Sequence, residues 1–238
     1  MTTSNPVLST TASAQVLTGL LIVLLLSACT GTTPGPEHDT PLGVAQGTFT
    51  DGVHVFRDLP YAAAPVGERR WQRPYPATGW EGVRDASFNR AICEQPLGDG
   101  DLNSGFLGRL IEGAGFSAFG RFMLSSFAGL GGGTAMSEDC LTLTVRTQSL
   151  EASAELPVMV WIHGGAHRYG SGNQGFSDSN ALADKGVVHV SINYRLGIWG
   201  FFAHNELAEE DPNRSTGNYG LLDQIEALRW VKRNIAAF

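Results

Sequence analysis

The sequence lacks any block of lysine and arginine residues, and its formal net charge is -7 over 238 residues. Nucleic-acid-binding surfaces depend on clustered positive charge, so a nucleic-acid partner is excluded. No His, Cys or carboxylate spacing is typical of a metal site, and we expect no cofactor. The remaining composition, 42% hydrophobic and 16% charged, is typical of a soluble enzyme and allows one large domain.

The N-terminus also lacks charge, and residues 1–28 form a predicted signal peptide. The apolar segment from Val16 to Leu26 has 11 residues, whereas a bilayer-spanning helix needs about 20. The following Leu26-Ser27-Ala28-Cys29 resembles a bacterial lipobox, which predicts lipidation of Cys29. The alternative is plain secretion. In both cases we expect the mature chain outside the cytoplasm, anchored to a bacterial membrane if Cys29 carries a lipid.

The rest of the chain divides into a linker and a folded domain. Residues 29–41 include TGTTPGPEHDTP, a composition that predicts a flexible linker. Residues 42–238 form the predicted domain. Once Cys29 is lipidated, Cys93 and Cys140 are the remaining cysteines, and an oxidising compartment favours a disulfide between them. The alternative is two buried thiols. Closure of this loop would stabilise the fold by about 4 kcal/mol.

Periodicity predicts the elements of this domain. Alternation around Asp51-Gly52 indicates a β-hairpin, and LTLTVRT, PVMVWIH and VVHVSINY are predicted strands, the last two covered on both faces. A short helix is expected near 179–185. A longer helix begins at Gly217 or Asn218, with apolar residues at steps of three and four: Leu221, Leu222, Ile225, Leu228, Val231 and Ile235.

The segment from Leu97 to Met136 is rich in glycine and phenylalanine. Two interpretations stay open for it. It is either a mobile apolar lid beside a site or an insertion without a function of its own.

Seven stretches, in order, resemble the N-terminal half of the type-B carboxylesterases, a family of α/β-hydrolases. They span about Val44 to Phe238 and are FRDLPYAAAPVGERRWQRP, GWEGVRDA, CEQP, SEDCLTLTV, LPVMVWIHGGA, VVHVSINYRLGIWGF and GNYGLLDQIEALRWVKRNIAAF. The resemblance implies a small antiparallel sheet followed by a mostly parallel central sheet with flanking helices, incomplete at the C-terminus. It also supports the Cys93–Cys140 pairing.

The resemblance implies an ester hydrolase that acts through an acyl-enzyme on a small carboxylic ester. The backbone N–H groups of Gly165 and Ala166 match the family's oxyanion-hole donors, with Gly164 supporting the loop. Ala166 stands where the family usually has a third glycine, and His167 where it has an aromatic residue. An alanine retains its N–H, so we expect the donor to be kept.

The other half of such a catalytic site is not found. No serine of this sequence has glycines two positions before and two positions after it, as the G-x-S-x-G motif requires. The catalytic acid and histidine cannot be located either. His163 matches a loop-supporting residue rather than a general base, and His167, His189 and His204 are expected to be surface or packing residues.

Other matched positions have structural roles by the same resemblance. Arg70 and Glu138 are expected to form a partly buried ion pair, with an exposed pair as the alternative. Asn193, Tyr194, Arg195 and Asp223 belong to framework motifs.

Three hypotheses remain for the whole: an incomplete chain of an esterase, a binding protein of the same fold that has lost its serine, or a complete small protein. The third would leave the edge of VVHVSINY unpaired and the last helix without its sheet, which predicts poor solubility.

Overall fold

A computed structural model describes residues 33–95, 113–115, 117, 135–174 and 178–238. The predicted signal peptide, Cys29 and almost all of the segment from Leu97 to Met136 lie outside these residues. Within them, no helix has both the length and the apolar character needed to cross a membrane.

Most of the strands form one mixed, seven-stranded sheet. The strands are β1 Thr33–Thr40, β2 Gly43–Thr50, β3 Val53–Pro60, β4 Val83–Asp85, β5 Ile92–Cys93, β6 Met136–Ser137, β7 Thr142–Thr147, β8 Val158–Ile162 and β9 Val188–Ile192. The order of the main sheet is β1-β2-β3-β7-β9-β8, and β4 pairs with β2. Among the described residues, β5 and β6 form a second sheet.

Three α-helices follow the sheet strands along the chain. They are α1 Gly197–Phe201, α2 Asn205–Glu210 and α3 Tyr219–Asn234. Short 3-10 turns occupy Gly67–Arg69, Ala152–Ala154, Ala183–Lys185 and Ile235–Ala237. The predicted short helix near 179–185 is therefore a single 3-10 turn, whereas the long helix begins where Asn218 predicted it.

The described strands form the expected antiparallel beginning of the sheet and the start of its parallel part. Among the main-sheet pairs, only β8–β9 and β2–β4 are parallel. The β2–β3 hairpin turns at Asp51 and Gly52, both with positive φ (54° and 79°), as a type I′ turn requires. Such short connections produce antiparallel neighbours, and only a longer crossover produces a parallel pair.

The predicted flexible linker requires a correction. Thr33–Thr40 forms β1, antiparallel to β2, with an irregularity between Pro34 and Glu37. Proline is tolerated in an edge strand because its missing N–H costs no ladder hydrogen bond there. The His38 ring also packs between Phe56 and Phe238, so tertiary contacts order a stretch whose composition indicated a tether.

The helix α3 covers one face of the sheet. Its Ala227, Trp230 and Val231 are buried in the main core, whose sheet residues include Phe56, Val145 and Val190. Of the apolar residues predicted for its buried face, Leu221, Ile225 and Leu228 are 40%, 43% and 44% exposed. The helix therefore carries a second apolar stripe that no described residue covers.

The prediction of an unpaired edge at VVHVSINY is wrong. The strand β9 from this stretch lies inside the sheet, antiparallel to β7 and parallel to β8. The outermost strand on this side is β8, where Val158, Met159 and Ile162 are exposed. The apolar run of β8 is thus not covered on both faces by the described residues.

The opposite face of the central strands is polar although it is buried. Thr144 lies beside Ser191, and Arg146 beside His189, on neighbouring strands. All four are at most 2% exposed. The Arg146 guanidinium pairs with Asp178, and Thr144 donates to the Asn173 side chain at 3.3 Å. Asp178 and Asn173, from the connection between β8 and β9, therefore pack on this polar layer.

Candidate active site

The chain turns sharply where β8 ends. The carbonyl of Gly165 accepts the amides of Arg168 (3.0 Å) and Tyr169 (3.1 Å), which closes the turn. Gly165, Ala166 and His167 all have positive φ, at 115°, 54° and 60°. Positive φ costs a residue with a Cβ roughly 1–2 kcal/mol, so Ala166 and His167 hold strained backbone that the surrounding contacts stabilise.

The two glycines of the turn are not equivalent. A Cβ on Gly165 would lie 2.0 Å from the carbonyl oxygen of Tyr169, whereas a Cβ on Gly164 would meet no atom within 4 Å. Gly165 is therefore required by space and by φ. Gly164, expected to support the loop, has an open side-chain position, so lack of space does not require a glycine there.

The accepting carbonyls decide where the amides of the turn point. In a trans peptide the N–H is antiparallel to the C=O of the same unit. The Gly165 carbonyl is occupied inside the turn, so the Ala166 N–H is directed out of it. The Gly164 carbonyl contacts His163 Nδ1 at 2.9 Å, so the Gly165 N–H is directed away from the buried His163 ring. Neither amide donates to another residue in the described parts of the chain.

His163 supports the turn from below. Its ring stacks on Tyr194 with centroids 4.3 Å apart, and the Tyr194 hydroxyl donates to the His163 carbonyl at 2.9 Å. Nδ1 of His163 contacts the Gly164 carbonyl, which can only accept a hydrogen bond, so Nδ1 carries the proton. The Nε2 atom is buried and has no partner among the described residues. Burial lowers the pKa of His163, so the ring is neutral, and these contacts are those of a supporting residue.

The buried side chains of Gln95 and Asn193 form hydrogen bonds with the backbone that follows the turn. Gln95 forms a paired contact with the Gly170 backbone, Nε2 to the carbonyl at 3.0 Å and the amide to Oε1 at 2.8 Å. Asn193 Oδ1 accepts from Ser171 Oγ (3.0 Å) and from the Gly172 amide (2.9 Å). Sequence reasoning placed Asn193 in the framework but did not single out Gln95. Its position two residues after a bridged cysteine is the signal that could have found it.

Three other histidines, His167, His189 and His204, occupy surface or packing positions. His167 is exposed and stacks on Phe201 at 4.7 Å, and His189 is buried in the polar layer. His204 is exposed and accepts from the Glu206 amide at the start of α2. These positions agree with the expectation of surface and packing residues.

The predicted ion pair and disulfide are both present. Arg70 contacts Glu138 through Nε at 2.7 Å and Nη2 at 2.5 Å, and its guanidinium lies 4.9 Å above the Trp199 ring. The Glu138 hydrogen bond raises the pKa of Arg70. A disulfide joins Cys93 to Cys140, only two residues from Glu138. The pair is half-buried, as expected, and braces the disulfide region.

The described residues hold no group of three or more His, Cys, Asp or Glu side chains arranged as metal ligands. The turn itself offers the backbone N–H groups of Gly165 and Ala166 as donors. Two outward N–H groups at the end of a sheet strand suit a developing negative charge, because they are fixed before it forms.

Comparison with known proteins identifies the family of the chain. Residues 35–238 match the carboxylesterase family. The fumonisin B1 esterase of Sphingopyxis macrogoltabida is 38% identical over 205 residues, 86% of this chain and 33% of that protein. The para-nitrobenzyl esterase of Bacillus subtilis is 39% identical over 200 residues, 84% of this chain and 35% of that protein.

Solved structures match in the same way. A Geobacillus stearothermophilus carboxylesterase superposes with a TM-score of 0.65 at 35% identity, over 85% of this chain and 35% of that one. The similarity confirms the predicted α/β-hydrolase fold class. This chain spans about a third of the length of the relatives it matches.

Proposed function

Because this chain belongs to the carboxylesterase family, we propose that it takes part in the hydrolysis of carboxylic esters and that Gly165 and Ala166 supply its oxyanion donors. The outward direction of these two amides is the observation that carries the proposal. Ester hydrolysis by acyl transfer passes through a tetrahedral intermediate whose oxygen bears a full negative charge. One preorganised donor to that oxygen is worth about 3 kcal/mol, or 10² to 10³ in rate.

The contacts around the turn support this role. The Gly165 carbonyl, Tyr194 and Gln95 hold the backbone from three sides. Donors that are held before the reaction need no reorganisation when the charge develops, which is why fixed amides outperform water. Ala166 presents an N–H as a glycine would, and its methyl group narrows the space for the acyl group.

The nucleophile of the proposed reaction is a serine that these 238 residues do not supply. No G-x-S-x-G motif occurs in the sequence, and such a motif would place the serine on a strand-to-helix turn at the same end of the sheet. The base and its orienting acid are proposed to come from the same missing part. The oxyanion donors alone retain only a small acceleration, so we expect the 238-residue chain by itself to show near-background activity.

We further propose that the protein acts outside the cytoplasm, held to a membrane by a lipid on Cys29. The Leu26-Ser27-Ala28-Cys29 sequence supports this location, and plain secretion is the alternative. Metabolic labelling with a clickable palmitate analogue tests it: the wild-type protein takes up the label and Cys29→Ala does not. Uptake by the variant overturns the anchor at this residue.

The absence of G-x-S-x-G favours a second candidate, an esterase-like surface protein that binds without catalysis, or a fragment without function. A fluorophosphonate probe separates the candidates, because it reacts only with an activated serine. The longest product of the gene should be labelled and should hydrolyse p-nitrophenyl acetate, whereas the 238-residue chain should do neither. A folded longest product that stays unlabelled overturns the enzymatic proposal and favours the binding protein.

A further inference from the structure

We infer that Gln95 is a positioning residue, which couples the Cys93–Cys140 disulfide to the turn that carries the Gly165 and Ala166 amides. The inference rests on the proposed function for its catalytic consequence, although its geometry stands without it. Gln95 is 7% exposed, and its side-chain amide is fully used. It donates to the carbonyls of Cys93 (3.1 Å) and Gly170 (3.0 Å) and accepts the Gly170 amide at 2.8 Å.

Gly170, to which Gln95 is hydrogen-bonded, packs closely against the turn. A Cβ on Gly170 would lie 2.4 Å from His163 Nδ1 and 2.6 Å from the Gly164 carbonyl oxygen. The backbone of Gly170 therefore rests against the peptide unit that holds the Gly165 N–H. A displacement of Gly170 by a few tenths of an ångström has to move that unit, because close-packed backbone transmits strain.

The other end of the coupling is covalent. The disulfide fixes Cys93, two residues before Gln95, to Cys140, two residues before β7. The Arg70–Glu138 pair braces the same segment. Gln95 thus joins a rigid anchor on the central sheet to a turn that contains two strained residues and is not part of any strand.

Gln95→Met tests the inference, because it keeps the length of the side chain and removes all three hydrogen bonds. The matched control is Gln46→Met, a glutamine on β2 whose only described side-chain contact is a 3.5 Å hydrogen bond to the Gly35 carbonyl. Amide hydrogen exchange of the oxidised, longest gene product is measured by mass spectrometry. We expect Gln95→Met to speed exchange in peptides covering 163–173 by about 10-fold, since the loss of two net hydrogen bonds to Gly170 is of this size.

The pattern of exchange separates positioning from general stability. A residue with a merely structural role would speed exchange in β7 and β9 by the same factor, whereas a positioning residue leaves them unchanged. Gln95→Glu places a carboxylate oxygen against the carbonyls of Cys93 and Gly170, so its exchange at 163–173 should be at least as fast as that of Gln95→Met. The double variant Cys93→Ser, Cys140→Ser should loosen the same peptides. Unchanged exchange at 163–173 in Gln95→Met, or equal loosening everywhere, overturns the inference.

Kinetics add an independent readout. In the longest gene product, Gln95→Met should lower kcat for p-nitrophenyl acetate by about 10-fold with KM within twofold, because donors displaced from the oxyanion act on the transition state. If the wild-type protein lacks activity while exchange at 163–173 responds as expected, the proposed function fails and the coupling stands. A lowered kcat without a change in exchange would contradict the coupling.

Discussion

The guanidinium of Arg195 grips both carboxylate oxygens of Asp223, with Nε to Oδ2 and Nη2 to Oδ1 each at 2.8 Å. The Arg195 backbone amide donates to the same carboxylate at 3.1 Å. Both side chains are buried, so the pair is shielded from solvent. Because Tyr194 precedes Arg195 and holds the His163 carbonyl, this pair fastens the end of β9 and the supporting layer of the turn to α3.

Removal of one partner should be costly. Asp223→Ala leaves the Arg195 charge buried without its counterion, and we expect a loss of about 3–5 kcal/mol in the free energy of unfolding. Urea unfolding followed by tryptophan fluorescence measures it. Arg229→Ala is the control, since Arg229 is 65% exposed and 3.6 Å from Glu226, and should change stability by under about 1 kcal/mol. Equal effects of the two variants would contradict the assignment.

The two glycines of the turn should respond oppositely to the same methyl group. Gly165→Ala forces a Cβ to 2.0 Å from the Tyr169 carbonyl, which opens the turn and removes both proposed donors. In the longest gene product we expect kcat/KM to fall by at least about 10²-fold. Gly164→Ala, with open space around it, should stay within about threefold. A Gly165→Ala enzyme with normal activity would argue against oxyanion binding at this turn.

Ala166 should tolerate glycine well. Its φ of 54° is unfavourable for alanine and free for glycine, and the N–H is kept. The backbone strain that glycine removes at this φ exceeds the cost of the conformational entropy that it adds to the unfolded chain. Ala166→Gly should therefore raise the free energy of unfolding by about 0.5 kcal/mol. Ala208→Gly within α2 should lower it by about 1 kcal/mol. Thermal unfolding compares the two signs directly, and a destabilised Ala166→Gly would show that the methyl group packs usefully.

Acid should destabilise the fold through the buried polar layer. Burial, together with the nearby Arg146 charge, lowers the pKa of His189 to about 4, whereas an unfolded histidine titrates near 6.5. The unfolded state therefore binds the proton first as pH falls. The stability that neutral His189 contributes is complete above about pH 6.5 and is lost between there and pH 4, on the order of 3 kcal/mol in total.

Urea midpoints from pH 8 to pH 4 test this slope. His189→Asn should flatten the profile in that window, whereas His204→Gln should leave it as in the wild-type protein, because His204 is exposed. A His189→Asn profile as steep as that of the wild type would place the acid sensitivity in other groups.

Local signals proved reliable for turns and helix starts. Asp51-Gly52 satisfies a type I′ turn through its own backbone preferences. Asn218 is the residue before the first residue of α3, as predicted, although its side chain makes no capping hydrogen bond. The direction of the strands and the residues that pack on their faces were harder to predict, because both depend on partners far away in sequence. The proline-rich stretch of β1 is ordered by an edge of β2 and by Phe56, and neither is visible in its composition.

The burial of polar residues was also difficult to predict from the sequence. The alternation in LTLTVRT places Thr144 and Arg146 on one face, which sequence patterns assign to solvent. The structure buries that face beneath the connection between β8 and β9, where Asp178 pairs with Arg146. In α3, likewise, Asp223 faces the core while Leu221 faces outward. The turn that carries the Gly165 and Ala166 amides was predicted from its glycines and the family resemblance, whereas Gln95 offers only one sequence signal, its place two residues after Cys93.

The bridged cysteines bring their Cα atoms within 5.0 Å across a separation of 47 positions. The disulfide thus holds the two ends of the connection between β5 and β7 close together. Doubling the length of such a loop adds only about 0.6 kcal/mol of closure cost. Changes of length between Gln95 and Glu138 should therefore cost the fold little, provided that these two side chains keep their hydrogen bonds to Gly170 and Arg70.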